Sequence, residues 1–321
     1  MTRRLAVILL FTIPFLTGEI FAQDPAFSQF YANPLYLNPA LAGVTLNPRL
    51  IANYRNQWPG MGKAFNTYNF SYDQYVGFLH GGVGLLVTAD RAGGGTLNTT
   101  MISLSYAYKF NITSRLQASG AVRAGYYQRS IDWEKLIFAQ NTPPEPMPDY
   151  TKIGVPDFSA GIFMAYDEFI YGGFAVDHLT QPNIGFSSST NDQLYMKYTA
   201  HIGSVINLNK NGGADGDREF SLSPNILYQQ QFQFHQLNIG LYLTIDPFVG
   251  GLWFRHNFEN ADAIIPMLGF HYKGLRVAYS YDYTLSRLIN ISGGAHEVSV
   301  SWQFTVAEKS RRIKAIKCPR F

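Results

Sequence analysis

The sequence predicts an all-β fold, a transmembrane antiparallel β-barrel of about 14 strands of the outer-membrane type. Three observations lead there. Apolar and polar residues alternate over segments of nine to fifteen residues, longer than the five or six usual in soluble sheets. Tyr and Phe crowd the segment ends, as aromatic girdles do at membrane interfaces. Charged residues make up only 15% of the 321 residues and aromatic residues another 15%, with 24 Phe, 21 Tyr and 4 Trp. Soluble domains carry roughly 25% charged residues, and disordered chains have few rings. Past the N-terminus no stretch approaches the roughly 20 apolar residues of a spanning helix. The single cysteine, Cys318, excludes an intramolecular disulfide and a cysteine metal cluster. A net charge of +3 does not point to nucleic acid.

Residues 1–22 read as a secretory signal peptide. Arg3 and Arg4 precede the apolar run 5–17, and Ile20-Phe21-Ala22 resembles a small-residue cleavage site before Gln23. An anchor helix is the competing reading, against which stand the shortness of the run and Pro14. No cysteine follows the cleavage site, so no lipoprotein anchor is expected. The segment 23–47 carries Pro25, Pro34 and Pro39 among many aromatics and is expected to be ordered without long helix or strand. Left free, its Phe27, Phe30, Tyr31, Leu35, Tyr36 and Leu37 would expose an apolar patch, so it should pack against or inside the barrel.

Residues 48–304 form the barrel. Ile102, Leu104, Tyr106, Tyr108 and Phe110 share one face, and Ser103, Ser105, Ala107 and Lys109 the other. Val298, Val300, Trp302 and Phe304 likewise oppose Glu297, Ser299, Ser301 and Gln303. A soluble sandwich alternates too, but its strands are shorter. Strands are expected at 48–58, 63–76, 79–92, 96–109, 115–130, 157–166, 169–178, 193–208, 219–231, 235–244, 247–255, 263–271, 274–283 and 295–304. An even count puts both termini on the periplasmic side. The tight turns 111–114, 167–168, 246 and 273 then fall on that side, and the long connections 131–156, 179–192 and 284–294 on the other; 209–217 is long yet periplasmic. Arginine at Leu104 or Val300 should impair assembly, and Ser103→Arg should be milder.

Two surfaces are candidates for function. Arg115, Arg123, Arg129, Lys197 and Arg276 give the inner face a basic character, with Asp73, Asp282 and Glu297 as counter-ions. A working lumen and a charge-paired filling both fit that pattern. The longest connection, 131–156, is stiffened by Pro143, Pro144, Pro146 and Pro148. Trp133, Ile137, Phe138, Pro144, Met147 and Tyr150 are its candidate partner-binding residues, and a lid over the barrel mouth would use the same ones. The tail 305–321 holds six basic residues against one acid, a solvated end or a periplasmic docking segment.

Enzymatic chemistry finds no support, and no cofactor is expected. His80, His178, His201, His235, His256, His271 and His296 are scattered without metal-ligand spacing. The glycine runs 81–84 and 93–95 do not sit between a strand and a helix, so they read as turns or bulges rather than phosphate loops. The segment 209–217 is oxygen-rich but lacks the register and closing Glu of an EF-hand.

The stretch Asp24-Pro25-Ala26-Phe27-Ser28-Gln29-Phe30 with Asn33-Pro34-Leu35-Tyr36-Leu37-Asn38-Pro39-Ala40-Leu41-Ala42-Gly43 resembles the opening signature of the PorP/SprF family. Tyr54-Arg55-Asn56-Gln57-Trp58, Asn66-Thr67-Tyr68 and the C-terminal Cys318-Pro319-Arg320-Phe321 resemble its later positions. The resemblance implies an integral outer-membrane barrel of the Bacteroidetes type IX secretion system. It also implies a role in secretion or surface attachment of partner proteins with a sorting C-terminal domain, adhesins of gliding motility among them. Implied partners are such a secreted surface protein, other secretion-system or periplasmic components and outer-membrane lipid, without nucleic acid. A passive pore would need an open lumen, and a membrane-embedded hydrolase a compact catalytic set; the N-terminal signature favours the secretion role.

Overall fold

The computed structural model describes residues 24–45, 47–62, 64–136, 150–167, 169–187, 192–209, 220–286, 289 and 291–304. In lipid every backbone N–H and C=O must find a partner within the protein, which a sheet achieves only by closing on itself. The chain does so with β1 (Arg49–Gln57), β2 (Phe65–Val76), β3 (Gly81–Ala92), β4 (Leu97–Asn111), β5 (Leu116–Ile131), β6 (Lys152–Tyr166), β7 (Ile170–Asp177), β8 (Lys197–Ser204), β9 (Ile206–Asn207), β10 (Phe220–Gln231), β11 (Phe234–Ile245), β12 (Phe248–His256), β13 (Ala261–Tyr272), β14 (Leu275–Thr284) and β15 (Ala295–Gln303). Neighbours pair antiparallel, and β15 pairs with β1 to close the wall. β8 and β9 both pair with β10 and make one stave interrupted at Val205, so the barrel has fourteen staves.

The alternation in sequence becomes the two faces of the wall. Leu104, at the middle of β4, is 66% exposed, and Ile102, Val122, Ile162, Leu252 and Leu268 also face outward. Tyr108, Phe110, Tyr166, Phe248, Tyr272 and Trp302 lie outside near one end of the barrel, and Tyr54, Tyr68, Tyr126 and Tyr279 outside toward the other. The near end is the one where β1 starts and β15 finishes. Its β13–β14 hairpin turns on Lys273-Gly274, both with positive φ, the twist a two-residue hairpin needs.

Three features depart from the sequence reading. β6 starts at Lys152 rather than 157 and includes Pro156, which shortens the connection before it. Its pairing with β7 runs only from Ala160, so the stretch around Pro156 has a single ladder to serve and tolerates a residue without an N–H. Gly81, Gly82 and Gly84 lie within β3 rather than in a turn or bulge. Arg115, expected on the inner face, is exposed in the turn before β5, where its carbonyl accepts from the Asp167 N–H; the alternation was extended one residue past the strand.

The core lies in the lumen. A fourteen-stave wall encloses more space than its own side chains fill, and residues 24–45 occupy it. They carry the short helix α1 (Pro34–Leu37) between the 3-10 turns Phe30–Ala32 and Pro39–Leu41. Because the lumen is filled, Ser103 is only 3% exposed, and an arginine there has no roomy inner face to enter. An arginine at Leu104 should cost about 2–4 kcal/mol of assembly free energy near the bilayer midplane. Urea titration of the barrel folded in lipid vesicles measures it; a change near zero would contradict the outward assignment.

Candidate functional site

The plug folds as its sequence dictates. Pro34 opens α1, where a missing N–H costs nothing. Asn38 caps the next turn, its Oδ1 accepting from the Ala40 N–H at 2.9 Å. From the far end the plug crosses between opposite walls and leaves at the near end into β1. From Phe27 to Val44 every residue of it is buried.

Its outer end is held by β5 to β8. The Asp24 carboxylate lies 2.7 Å from Lys197 Nζ and 2.9 Å from His178 Nε2. Nδ1 of the same histidine lies 3.0 Å from Asp157. Both ring nitrogens therefore face carboxylates, which only accept, and the ring must carry both protons. Burial opposes that charge, but Asp24 and Asp157 outweigh it and raise the His178 pKa to about 10. Arg123 pairs with Asp177 and donates to the Leu35 carbonyl at 2.9 Å.

Ser28 sits against the opposite wall, at the centre of two buried arginines and two buried acids. Its hydroxyl donates to Asp282 at 2.7 Å and accepts from Arg55 and Arg255, each at 2.6 Å. Glu297 accepts the backbone N–H groups of Ser28 and Gln29 at 2.7 and 3.1 Å and pairs with Arg55 at 3.2 Å. The four wall charges cancel, and removing one partner of such a buried set costs about 3–5 kcal/mol. At the near end Asp73 pairs with Arg49 at 2.9 Å and accepts the Gly43 N–H at 2.8 Å, while Lys109 donates to the Gly43 carbonyl.

Apolar contacts fill the middle. Phe30 meets Trp253 edge-on at 5.2 Å and Tyr31 meets Tyr171 at 5.8 Å. Wall glycines make the room. A Cβ on Gly82 would lie 2.0 Å from the Ala42 carbonyl oxygen, and one on Gly161 2.2 Å from Asn38 Oδ1. In the β7–β8 connection Asn183 bridges Gln193, and Ile184 and Leu194 are buried.

The structure places Arg123, Lys197, Asp282 and Glu297 in this filled lumen. Arg129 stands at the far rim, 2.7 Å from Asp192, and Arg276 toward the near end beside Gln303. Sequence reasoning did not assign Arg55, Arg255, Asp157, Asp177 or His178 to the lumen charges. Four of the five had a usable signal in the strand alternation; His178, read as the last residue of the strand 169–178, would face outward by that period, and it turns inward because β7 ends at Asp177. Of the loop residues, Trp133 and Tyr150 flank the connection, Tyr150 53% exposed. Ile137, Phe138, Pro144 and Met147 lie outside the described residues.

The family described as "Type IX secretion system membrane protein PorP/SprF" matches residues 19–302. Among solved structures, the TodX deltaS2S3 mutant monoaromatic hydrocarbon channel matches with a TM-score of 0.50 at 9% identity, covering 84% of this chain and 93% of that one. The CymD monoaromatic hydrocarbon channel gives 0.47 at 9% identity, over 86% and 93%. A Pseudomonas aeruginosa FadL homologue gives 0.42 at 13%, over 84% and 93%. No curated protein matches in sequence. At 9% identity the TodX likeness is one of barrel fold alone.

The plug's seat is testable at Gly82. Gly82→Val should push the backbone around Ala42 out of place, so that protease cuts within 24–47 of the folded barrel about ten-fold faster. Gly77→Ala, with open space around its Cβ, should cut at the parent rate. Equal rates for all three proteins would show that the close approach of Gly82 does not hold the plug.

Proposed function

The chain belongs to the PorP/SprF family of type IX secretion system membrane proteins, and we propose that it supports secretion or surface attachment of partner proteins through their C-terminal domains. The observation that carries this is the family match across residues 19–302, the whole barrel and the plug included. The fold is that of an outer-membrane barrel, and family and fold both speak for a non-enzymatic role. The plug argues against a passive pore, because the backbone from Phe27 to Val44 fills the path that a solute would take.

On this reading the docking surface is the far rim, formed by the connections 131–156, 179–192 and 284–294, with both termini in the periplasm. Support comes from how the rim is built. The Tyr150 N–H donates to the Phe186 carbonyl at 3.1 Å and joins the first two connections, while Arg129 of β5 pairs with Asp192 and lies over the Phe186 ring at 5.5 Å, tying the second to the wall. A surface braced in this way loses little entropy on binding. Trp133 and Tyr150 supply aromatic anchors of the kind interfaces rely on. The basic tail 305–321 would then meet periplasmic components of the secretion system.

Deleting residues 142–149 should leave the barrel assembled and heat-modifiable on a gel while the partner disappears from the cell surface. Surface labelling of the partner reads the outcome. Undiminished display would move the docking surface away from this loop.

A further inference from the structure

Beside Asp24, at the far end of the lumen, lies a narrow cleft of about 20 Å³, room for little more than a water while Asp24, Pro25 and Ala26 line it, with Lys197, Gln229, Phe234 and Gln236 on its wall side. Two observations set it apart from the packed plug below. Gln236 is 2% exposed, lines the cleft, and its Nε2 has no hydrogen-bond partner among the described residues. A buried amide donor without an acceptor is costly, and an acceptor entering the cleft would relieve it. The second is the balance of charge around Asp24. Arg123 is taken by Asp177, whereas Lys197 relies on Asp24 at 2.7 Å and reaches Asp177 only at 3.6 Å. His178 divides its two protons between Asp157 and Asp24. Asp24 is the only charged residue in the plug from 24 to 45. Without it, the wall offers a carboxylate-sized place flanked by Lys197 and His178.

We propose that this cleft is a recognition site for an extended peptide bearing a carboxylate, and that the chain's own Asp24 occupies it until such a peptide competes. The lining matches a peptide. The side-chain amides of Gln229 and Gln236 both donate and accept, as backbone N–H and C=O groups require. Phe234 adds an apolar surface, and Lys197 supplies the partner for an acid. A neutral sugar would leave Lys197 unmatched. Exchange is local, since Asp24, Pro25 and Ala26 line the cleft at the plug's outer end and retain some exposure, 11% for the Asp24 side chain, while burial becomes complete from Phe27. The Asp24 backbone N–H is held by Gln231 Oε1 at 3.0 Å and would be released with the side chain. The plug below keeps its own anchors at Ser28, Asn38 and Gly43.

The test uses the full mature barrel folded in detergent, with fluorescein-labelled hexaglutamate and hexaglutamine as probes and anisotropy at low salt as the readout. A competitor seated roughly 90% of the time lowers apparent affinity about tenfold. Asp24→Asn should therefore bind hexaglutamate about tenfold tighter than the parent, and adding Lys197→Gln should erase the gain. Gln236→Leu should weaken hexaglutamate binding several-fold in the parent background. Equal affinity of the parent and Asp24→Asn overturns the proposal, as does hexaglutamine binding as tightly as hexaglutamate. Should Asp24→Asn fail to fold, as judged by heat-modifiability, Gln236→Leu decides alone, and unchanged hexaglutamate affinity there overturns it. Peptide binding in detergent does not depend on partner display in cells, so the cleft and the docking rim fail or stand separately.

Discussion

A wall of fourteen staves encloses a lumen too wide for its own side chains, and a chain segment drawn inside to fill it loses water from its backbone. Most of the interior follows from meeting those backbone groups. The short helix of the plug satisfies some internally, with the Leu37 and Asn38 N–H groups donating to Asn33 and Pro34. The wall meets others with charge. Glu297 takes two N–H groups, Asp73 takes one, and Arg123, Lys109 and Ser119 donate to the carbonyls of Leu35, Gly43 and Ala40. Charges that would line a water-filled channel in a porin serve here as hydrogen-bond partners for a buried backbone, where charge-assisted bonds are the strong ones.

This arrangement explains why the buried charges come with glycines. Charged side chains hold the plug at a set depth only if its backbone can approach the wall closely between them. Gly82 gives that approach to the Ala42 backbone, and Gly84, Gly161 and Gly173 make room for the side chains of Leu35 and Asn38. Asn38 uses it fully, donating to the Ile162 carbonyl on β6 at 2.9 Å while its own Oδ1 caps the following turn. The alternation of large and absent side chains on the inner face is therefore a mould of the plug, and its ion pairs stand where the mould meets polar backbone.

The barrel was legible in the sequence because a strand with lipid on one side and protein on the other writes its period into every second residue. Inward acids and bases such as Arg123, Lys197, Asp282 and Glu297 could be read from that period. Their pairings could not. Arg55 and Arg255 stand 200 residues apart and share Ser28 and Asp282 only because the sheet closes through β15 and β1. The apolar content of 23–47 argued that it must be covered, yet it has no periodicity to say against what. The glycines of β3 looked like turn residues because a glycine's use for close packing shows only when the approaching segment is in place. Arg115 shows the opposite error, a period carried beyond the strand that generates it.

The plug is also asymmetric in how it is held. Its near end runs covalently into β1 and is pinned by Asp73 and Lys109, while its far end is held at a single residue, Asp24, by its carboxylate on Lys197 and His178 and its N–H on Gln231. Between them lie the ring contacts of Phe30 and Tyr31, which resist extraction as a block. The grip on the plug is therefore weakest at Asp24 and tightens at Phe27, where burial becomes complete. Such a plug can change the chemistry of the far mouth without emptying the lumen. The position of the single plug charge therefore separates the two ends: polar and exchangeable at the far mouth, apolar and fixed below it.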